Sequence, residues 1–306
     1  MPNPIIKPGE PLVQMRQHQV EPFWREDLGL FLLIWRRRGG KSHVMASKAL
    51  RRSMVKRDLL SVFISASIKL GEEFIRKEVT VWNHVMSKMK LLAASQEMQM
   101  TSSADNLDID AVMELFEGGK LETKIWHDRT TCSRTLVVPP TERAVGYGGD
   151  LYFDEVGRMP NFQELMEAAE PILDDNPDYR WMMATTPPPD DAHFSYELAL
   201  PPTDAFPVNP KGNWYLSQSN VWVHRFDAWD AHAAGIPLHD RTTRAPITPK
   251  QARAQAFDKA AWDRNFGCKF IPGGDAAIPL AQLDMAMRLG DQAGALFVDC
   301  QEEIEL

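Results

Sequence analysis

Apolar residues in this chain cluster into short continuous runs separated by longer stretches with helical spacing. Phe31-Leu32-Leu33-Ile34-Trp35 is the first run, and residues 59–67, 151–153 and 179–184 hold three more. Runs of this length without polar alternation fit strands buried on both faces, as in a sheet covered by helices above and below. The intervening pattern predicts helices over 16–25, 41–56 and 69–89, and one more from about 249 to 270. Residues 121–138 alternate enough to predict two strands joined by a turn near Asp128-Arg129. Residues 94–111 are polar and serine-containing and read as a surface loop or a short irregular helix. A strand, helix, strand order implies right-handed crossovers and a parallel sheet.

The punctuation between these elements carries the chemistry. The first run ends in Arg36-Arg37-Arg38-Gly39-Gly40-Lys41-Ser42 and opens directly into a helical pattern. In such a turn, backbone amides and a helix N-terminus present partial positive charge to a polyphosphate. Lys41 can reach the terminal phosphates, and the Ser42 hydroxyl can ligate magnesium. The usual spacing places a glycine five residues before Gly40, where this chain has Trp35.

The third run, Leu151-Tyr152-Phe153, ends in Asp154-Glu155. Strand ends at the carboxyl edge of a parallel sheet line its ligand crevice, so both acids are expected beside the turn. Strand alternation would point them to opposite sides, Asp154 toward the metal and Glu155 toward an attacking water. The fourth run ends in Thr185-Thr186-Pro187, hydroxyls at a strand end before a rigid turn. Gln19, upstream of the first run, offers a carboxamide that can donate to and accept from a base edge together.

Composition bounds the class. The chain has 306 residues, 44% hydrophobic, enough for one large domain or two smaller ones. Its net charge of −8 opposes a protein that coats nucleic acid over its whole surface. The first 60 residues, however, carry a balance of +7. Arg51, Arg52, Lys56 and Arg57 cluster after the glycine turn, which permits local contact with phosphate. Three dispersed cysteines, Cys132, Cys268 and Cys300, suit reduced thiols, and the histidines show no metal-ligand spacing. No apolar run is long enough to cross a bilayer, and the N-terminus lacks a signal-peptide layout. The expectation is a cytoplasmic protein with no membrane partner.

The ordered set of motifs resembles the ATPase domain of the large terminase subunit, the DNA-packaging motor of tailed bacteriophages. The resemblance implies an α/β fold of the P-loop NTPase (ASCE) type, with a mainly parallel sheet and helices on both faces. It implies ATP and Mg2+ as cofactors, held by the arginine-rich variant Walker A from Arg36 to Ser42, with Asp154 as second metal ligand. Glu155 would be the catalytic glutamate and Arg37 a phosphate sensor. Gln19 would contact adenine, and Thr185 and Thr186 would couple hydrolysis to movement. Arg143 matches a place where such motors carry an arginine acting across a subunit boundary, with Arg129, Arg134 and Arg158 as competitors.

The implied organisation is an N-terminal segment over 1–28, a motor domain over 29–275 and a linker over 276–306. The linker leads toward a nuclease domain that the chain is too short to hold, so nuclease activity is not expected. The implied partners are double-stranded DNA, the portal protein of the capsid and the small terminase subunit. The motor would be a homo-oligomeric ring when assembled and a monomer in isolation. It would work in the bacterial host cytoplasm, docked on the procapsid. Two other readings stand beside it: a helicase-like or DNA-repair P-loop ATPase, and a non-catalytic nucleotide-gated adaptor.

Overall fold

A computed structural model describes residues 12–97, 109–141, 146–189, 192–202, 213–270 and 286–290. The four apolar runs become four adjacent strands: β1 (Leu30–Trp35), β2 (Leu60–Ser65), β6 (Asp150–Asp154) and β7 (Trp181–Thr185). They belong to a nine-stranded sheet ordered β3-β4-β5-β2-β6-β7-β1-β9-β8. Here β3 is Phe116–Gly118, β4 Glu122–Trp126, β5 Cys132–Val138, β8 Trp214–Leu216 and β9 Trp222–Phe226. The six central strands, β5 through β9, are mutually parallel. The sheet is finished by antiparallel strands at each side, β3 and β4 at one and β8 at the other.

Strand periodicity divides the buried residues between two cores. Leu32, Ile34, Val62, Phe153 and Met183 face one side, where Phe162, Leu165 and Ala169 of α5 (Phe162–Asp175) cover them. Leu33, Trp35, Phe63, Tyr152 and Met182 face the other. That side is covered by α2 (Lys41–Val55) through Val44, Met45 and Ala49, and by α3 (Ile68–Glu97) through Phe74 and Ile75. Strands sandwiched in this way need no polar alternation, which is why each reads as a continuous apolar run.

Of the stretch read as a surface loop or short irregular helix, residues 94–97 end α3 and a short helix α4 (Ile109–Glu114) takes its far end, while 98–108 lie outside the described residues. One sequence expectation changes. The single helix expected over 249–270 is two, α8 (Pro249–Ala254) and α9 (Lys259–Asn265). Asp258 caps the second by accepting from the Ala261 amide at 2.9 Å, an N-cap that starts a new helix. Among the described residues no helix is long and apolar enough to cross a membrane.

The basic cluster after the turn is engaged inside the chain. Arg51 donates to Glu26 at 2.7 Å, Lys56 pairs with Asp178 at 2.8 Å and Arg57 with Asp128 at 3.0 Å. Arg52 is buried and forks onto both oxygens of the buried Asp150 carboxylate. These groups sit toward the C-terminal end of α2, away from the glycine turn, and brace helix against sheet.

Candidate active site

The turn from Arg36 to Ser42 prolongs β1 at the carboxyl edge of the sheet. Its first two amides are held by neighbouring elements: Arg36 N–H continues the ladder to Phe226 O of β9 at 2.8 Å, and Arg37 N–H donates to Asn265 O at the end of α9 at 2.7 Å. The chain then folds back, with Gly39 N–H donating to Arg36 O at 3.0 Å. Gly40 has φ +87°, and a Cβ there would lie 2.2 Å from the Gln19 carboxamide nitrogen, so only glycine fits. Lys41 starts α2. Among the described residues, the N–H groups of Arg38, Gly40, Lys41 and Ser42 reach no protein acceptor. Four such amides at a helix N-terminus make a nest suited to an anion.

Trp35 explains the missing glycine. It is fully buried at the end of β1, and its indole N–H donates to His224 Nδ1 at 2.8 Å. The side chain serves the core between β1 and β9, and the turn reverses through Arg38 (φ +62°) and Gly40 without a glycine at that position.

The acids arrive from β6, two strands away, with β7 between. Ser42 Oγ donates to Asp154 Oδ2 at 2.6 Å. Asp154 is buried, and desolvation followed by the charge of Glu155 pushes its carboxyl above the usual range, against the Ser42 bond and the Lys41 charge. Glu155 departs from expectation. It is not the next pleat of the strand but a left-handed residue at φ 57°, ψ 42°. That bend brings both acids to the same loop, and Glu155 Oε1 comes within 3.9 Å of Lys41 Nζ. Lys41 Nζ also donates to Trp35 O at 3.2 Å.

Behind Glu155 the chain makes one tight turn, Val156–Arg158. Gly157 N–H donates to Thr185 Oγ1 at 3.0 Å, and the same hydroxyl donates to Thr186 O at 2.7 Å. A Cβ on Gly157 would stand 2.8 Å from that hydroxyl. Thr186 and Arg158 then line a small cavity of about 180 Å³ with Arg264.

The remaining sequence candidates separate. Arg36 is buried, and desolvation lowers its pKa. Arg37 and Arg38 are exposed. Gln19 is buried against the turn: its Oε1 accepts from Arg16 N–H at 2.8 Å and its Nε2 donates to Gly40 O at 3.2 Å. Beside it opens a cleft of about 530 Å³ lined by residues that include Gln14, Arg16, Gln19, Arg38 and His43. Arg143 lies outside the described residues. Arg134 pairs in register with Leu60, at the end of β2 opposite Ser65 and Asp154, whereas Arg158 follows Glu155 at the site itself. Sequence reading passed over Arg16 and His18, which also touch the turn; only their place beside Gln19 pointed to them.

No family model matches the chain, and no curated protein matches it in sequence. Solved structures do. The large terminase ATPase domain of Thermus phage P74-26 aligns with a TM-score of 0.53 at 13% identity, covering 85% of this chain and 94% of that one. A mutant of the same domain aligns with a TM-score of 0.52, again at 13% identity and with the same coverage. The chain has the fold of a phage large terminase ATPase domain, the mostly parallel P-loop NTPase sheet that its ordered motifs imply.

Proposed function

We propose that this chain hydrolyses ATP as the motor domain of a large terminase and drives double-stranded DNA into a procapsid. The observation that carries the reading is the Ser42–Asp154 hydrogen bond, which joins the loop after β1 to the acid at the end of β6 across an intervening strand. Hydrolytic P-loop enzymes require that convergence of hydroxyl and carboxylate.

The residues fit a magnesium nucleotide. Among the described residues no group of three or more His, Cys, Asp or Glu could hold a metal. The protein's donors are instead one hydroxyl and one carboxylate, as suits Mg2+, which takes few protein ligands and completes its shell with water and substrate phosphates. Asp154 is buried beside a second acid, with Lys41 as the nearby cation, so the site favours a divalent ion. Bound magnesium would neutralise charge on the β- and γ-phosphate oxygens.

This chain's own groups supply the rest. The amides of Arg38 and Gly40 to Ser42 cradle phosphate, with Lys41 reaching its far end. Glu155 orients and deprotonates the water. Arg37, exposed at the loop, senses the γ-phosphate, and Gln19 borders the cleft that takes the base. Thr185 and Thr186 pass the change onward from the Glu155 turn. Arg143 acts across a subunit boundary in an assembled ring; arginine fingers of this kind contribute about 10³- to 10⁵-fold in rate. The partners are the duplex, the portal protein and the small subunit, met in the host cytoplasm.

The test uses linear duplex DNA with the purified chain and its portal-bearing procapsid. ATP-dependent uptake of duplex into nuclease protection, without strand separation, is the expected result. Strand separation identifies a helicase-like enzyme, and the absence of turnover under all these conditions identifies an adaptor.

A further inference from the structure

The first helix, α1 (Gln17–Trp24), and the residue before it hold the outer side of the phosphate loop by three successive carbonyls. Arg16 Nη1 donates to Arg38 O at 3.3 Å, His18 Nε2 meets Gly39 O at 2.9 Å, and Gln19 Nε2 donates to Gly40 O at 3.2 Å. A carbonyl only accepts, so the proton of His18 sits on Nε2. The amides of the same segment, at Arg38, Gly40, Lys41 and Ser42, are the ones that reach no acceptor among the described residues.

Peptide planes join these two facts. Each plane carries a carbonyl at one side and the next residue's N–H at the other, so a carbonyl fixed on α1 turns the following N–H away from it. Holding Gly39 O fixes the Gly40 amide, and holding Gly40 O fixes that of Lys41. A plane that flipped would offer an anion a carbonyl oxygen in place of a donor.

His18 is built for this hold. Its ring stacks on Phe226 at 3.7 Å and 9°, and meets Trp35 edge-on at 4.7 Å, so two aromatic walls fix its direction. Burial, helped by Arg16 and Arg36 and opposed by the Gly39 bond, lowers its pKa to about 4, which keeps the ring neutral near pH 7. Trp35 thereby gains a second role: the residue replacing the first glycine is part of the wall that aims His18.

We infer that His18 is a positioning residue of the phosphate loop, its Nε2–H holding the Gly39 carbonyl outward so that the loop amides face a bound polyphosphate. The inference rests on the nucleotide-binding reading above and adds that the hold acts on the phosphates irrespective of the base.

Two substitutions separate the hydrogen bond from the packing. His18→Phe keeps the ring on Phe226 and removes the donor; His18→Gln keeps a donor near Nε2 and removes the ring. For the full chain and both variants, backbone amide order parameters over residues 38–42 are measured by NMR without ligand, and dissociation constants are measured for ATP and for inorganic tripolyphosphate. His18→Phe is expected to lower the order parameters of Gly40 and Lys41 and weaken both ligands by a similar factor of about 10, the scale of one hydrogen bond, while His18→Gln stays near the parent. The inference is overturned if His18→Phe behaves as the parent, if His18→Gln is the more impaired, or if only ATP is weakened, which would make His18 a base contact. If the parent chain binds neither ligand, the nucleotide reading itself fails, and the order parameters over 38–42 still decide whether His18 holds the loop.

Discussion

The backbone N–H of Gly157 donates to the Thr185 hydroxyl at 3.0 Å, tying the turn behind Glu155 to the end of the neighbouring strand β7. Thr185 is fully buried, so the bond is shielded from water. Thr185→Val preserves shape and leaves the Gly157 donor without its acceptor, at a cost of about 1–3 kcal/mol. ATP turnover should fall roughly tenfold, the effect of about 1.4 kcal/mol on the barrier, while ATP affinity is kept. Thr185→Ser should restore turnover. Equal losses in binding and turnover would show that the bond only supports the fold.

Trp35→Gly would complete the usual glycine spacing of the loop, yet it should damage the protein. The substitution empties a fully buried indole site beside His224 and Phe226. Large aromatic deletions in cores cost about 3–5 kcal/mol, and glycine at a strand end adds to this. Urea unfolding should show a loss of that size with no gain in nucleotide affinity. A stable variant with tighter binding would refute the structural role of Trp35.

Arg37 and Arg36 should separate cleanly. Arg37 is exposed, and its side chain makes no ion pair among the described residues, so Arg37→Ala should leave the melting temperature unchanged and lower turnover by at least about a hundredfold. Arg36 is buried, and Arg36→Ala should lower the melting temperature first. Unchanged turnover in Arg37→Ala removes the sensor role and leaves Lys41 as the phosphate anchor.

Glu78 gives the fold a pH dependence of its own. This carboxyl on α3 is fully buried and receives the hydroxyls of Thr123 at 2.7 Å and Thr135 at 3.0 Å. Burial pushes its pKa up to about 7, against those two bonds. An unfolded chain releases the proton near 4.5, so between 4.5 and 7 the folded state holds a proton that the unfolded state has lost. The contribution of Glu78 is therefore fully present below 4.5 and is lost as pH rises through 7. Glu78→Gln should gain on the order of 1–3 kcal/mol over the parent at pH 8 and little at pH 4.5, read from paired urea titrations. A gain that is equal at both values would rule out ionisation as the cause.

The sheet was legible because each of its four adjacent central strands, β2, β6, β7 and β1, is sandwiched between helices and so leaves an unbroken apolar run. The meeting of Ser42 with Asp154 was legible for a related reason, since parallel strands deliver their ends to one edge. The bend at Glu155 was not. Glutamate has no preference for the left-handed region, so strand alternation could not foresee the bend. The hold of α1 on the loop was equally hidden, because His18 and Arg16 look like ordinary surface residues until Phe226, from a strand more than two hundred residues away in sequence, supplies the stacking face. The split of the 249–270 helix turns on a single cap at Asp258, a local choice that periodicity passes over.

The most direct measurement of the central claim compares the parent chain with Glu155→Gln for both ATP affinity and ATP hydrolysis. Glu155 stands at the loop within 3.9 Å of Lys41 Nζ, beside the Ser42–Asp154 hydrogen bond; under the proposed function it acts on water, while the amides, Lys41 and the Ser42–Asp154 pair hold the nucleotide. The account predicts that Glu155→Gln binds ATP as tightly as the parent, or more tightly, and loses hydrolysis by about a hundredfold or more. With duplex DNA and the portal-bearing procapsid present, a parent chain that binds ATP without turnover, or a Glu155→Gln variant that hydrolyses ATP at the parental rate, would contradict it.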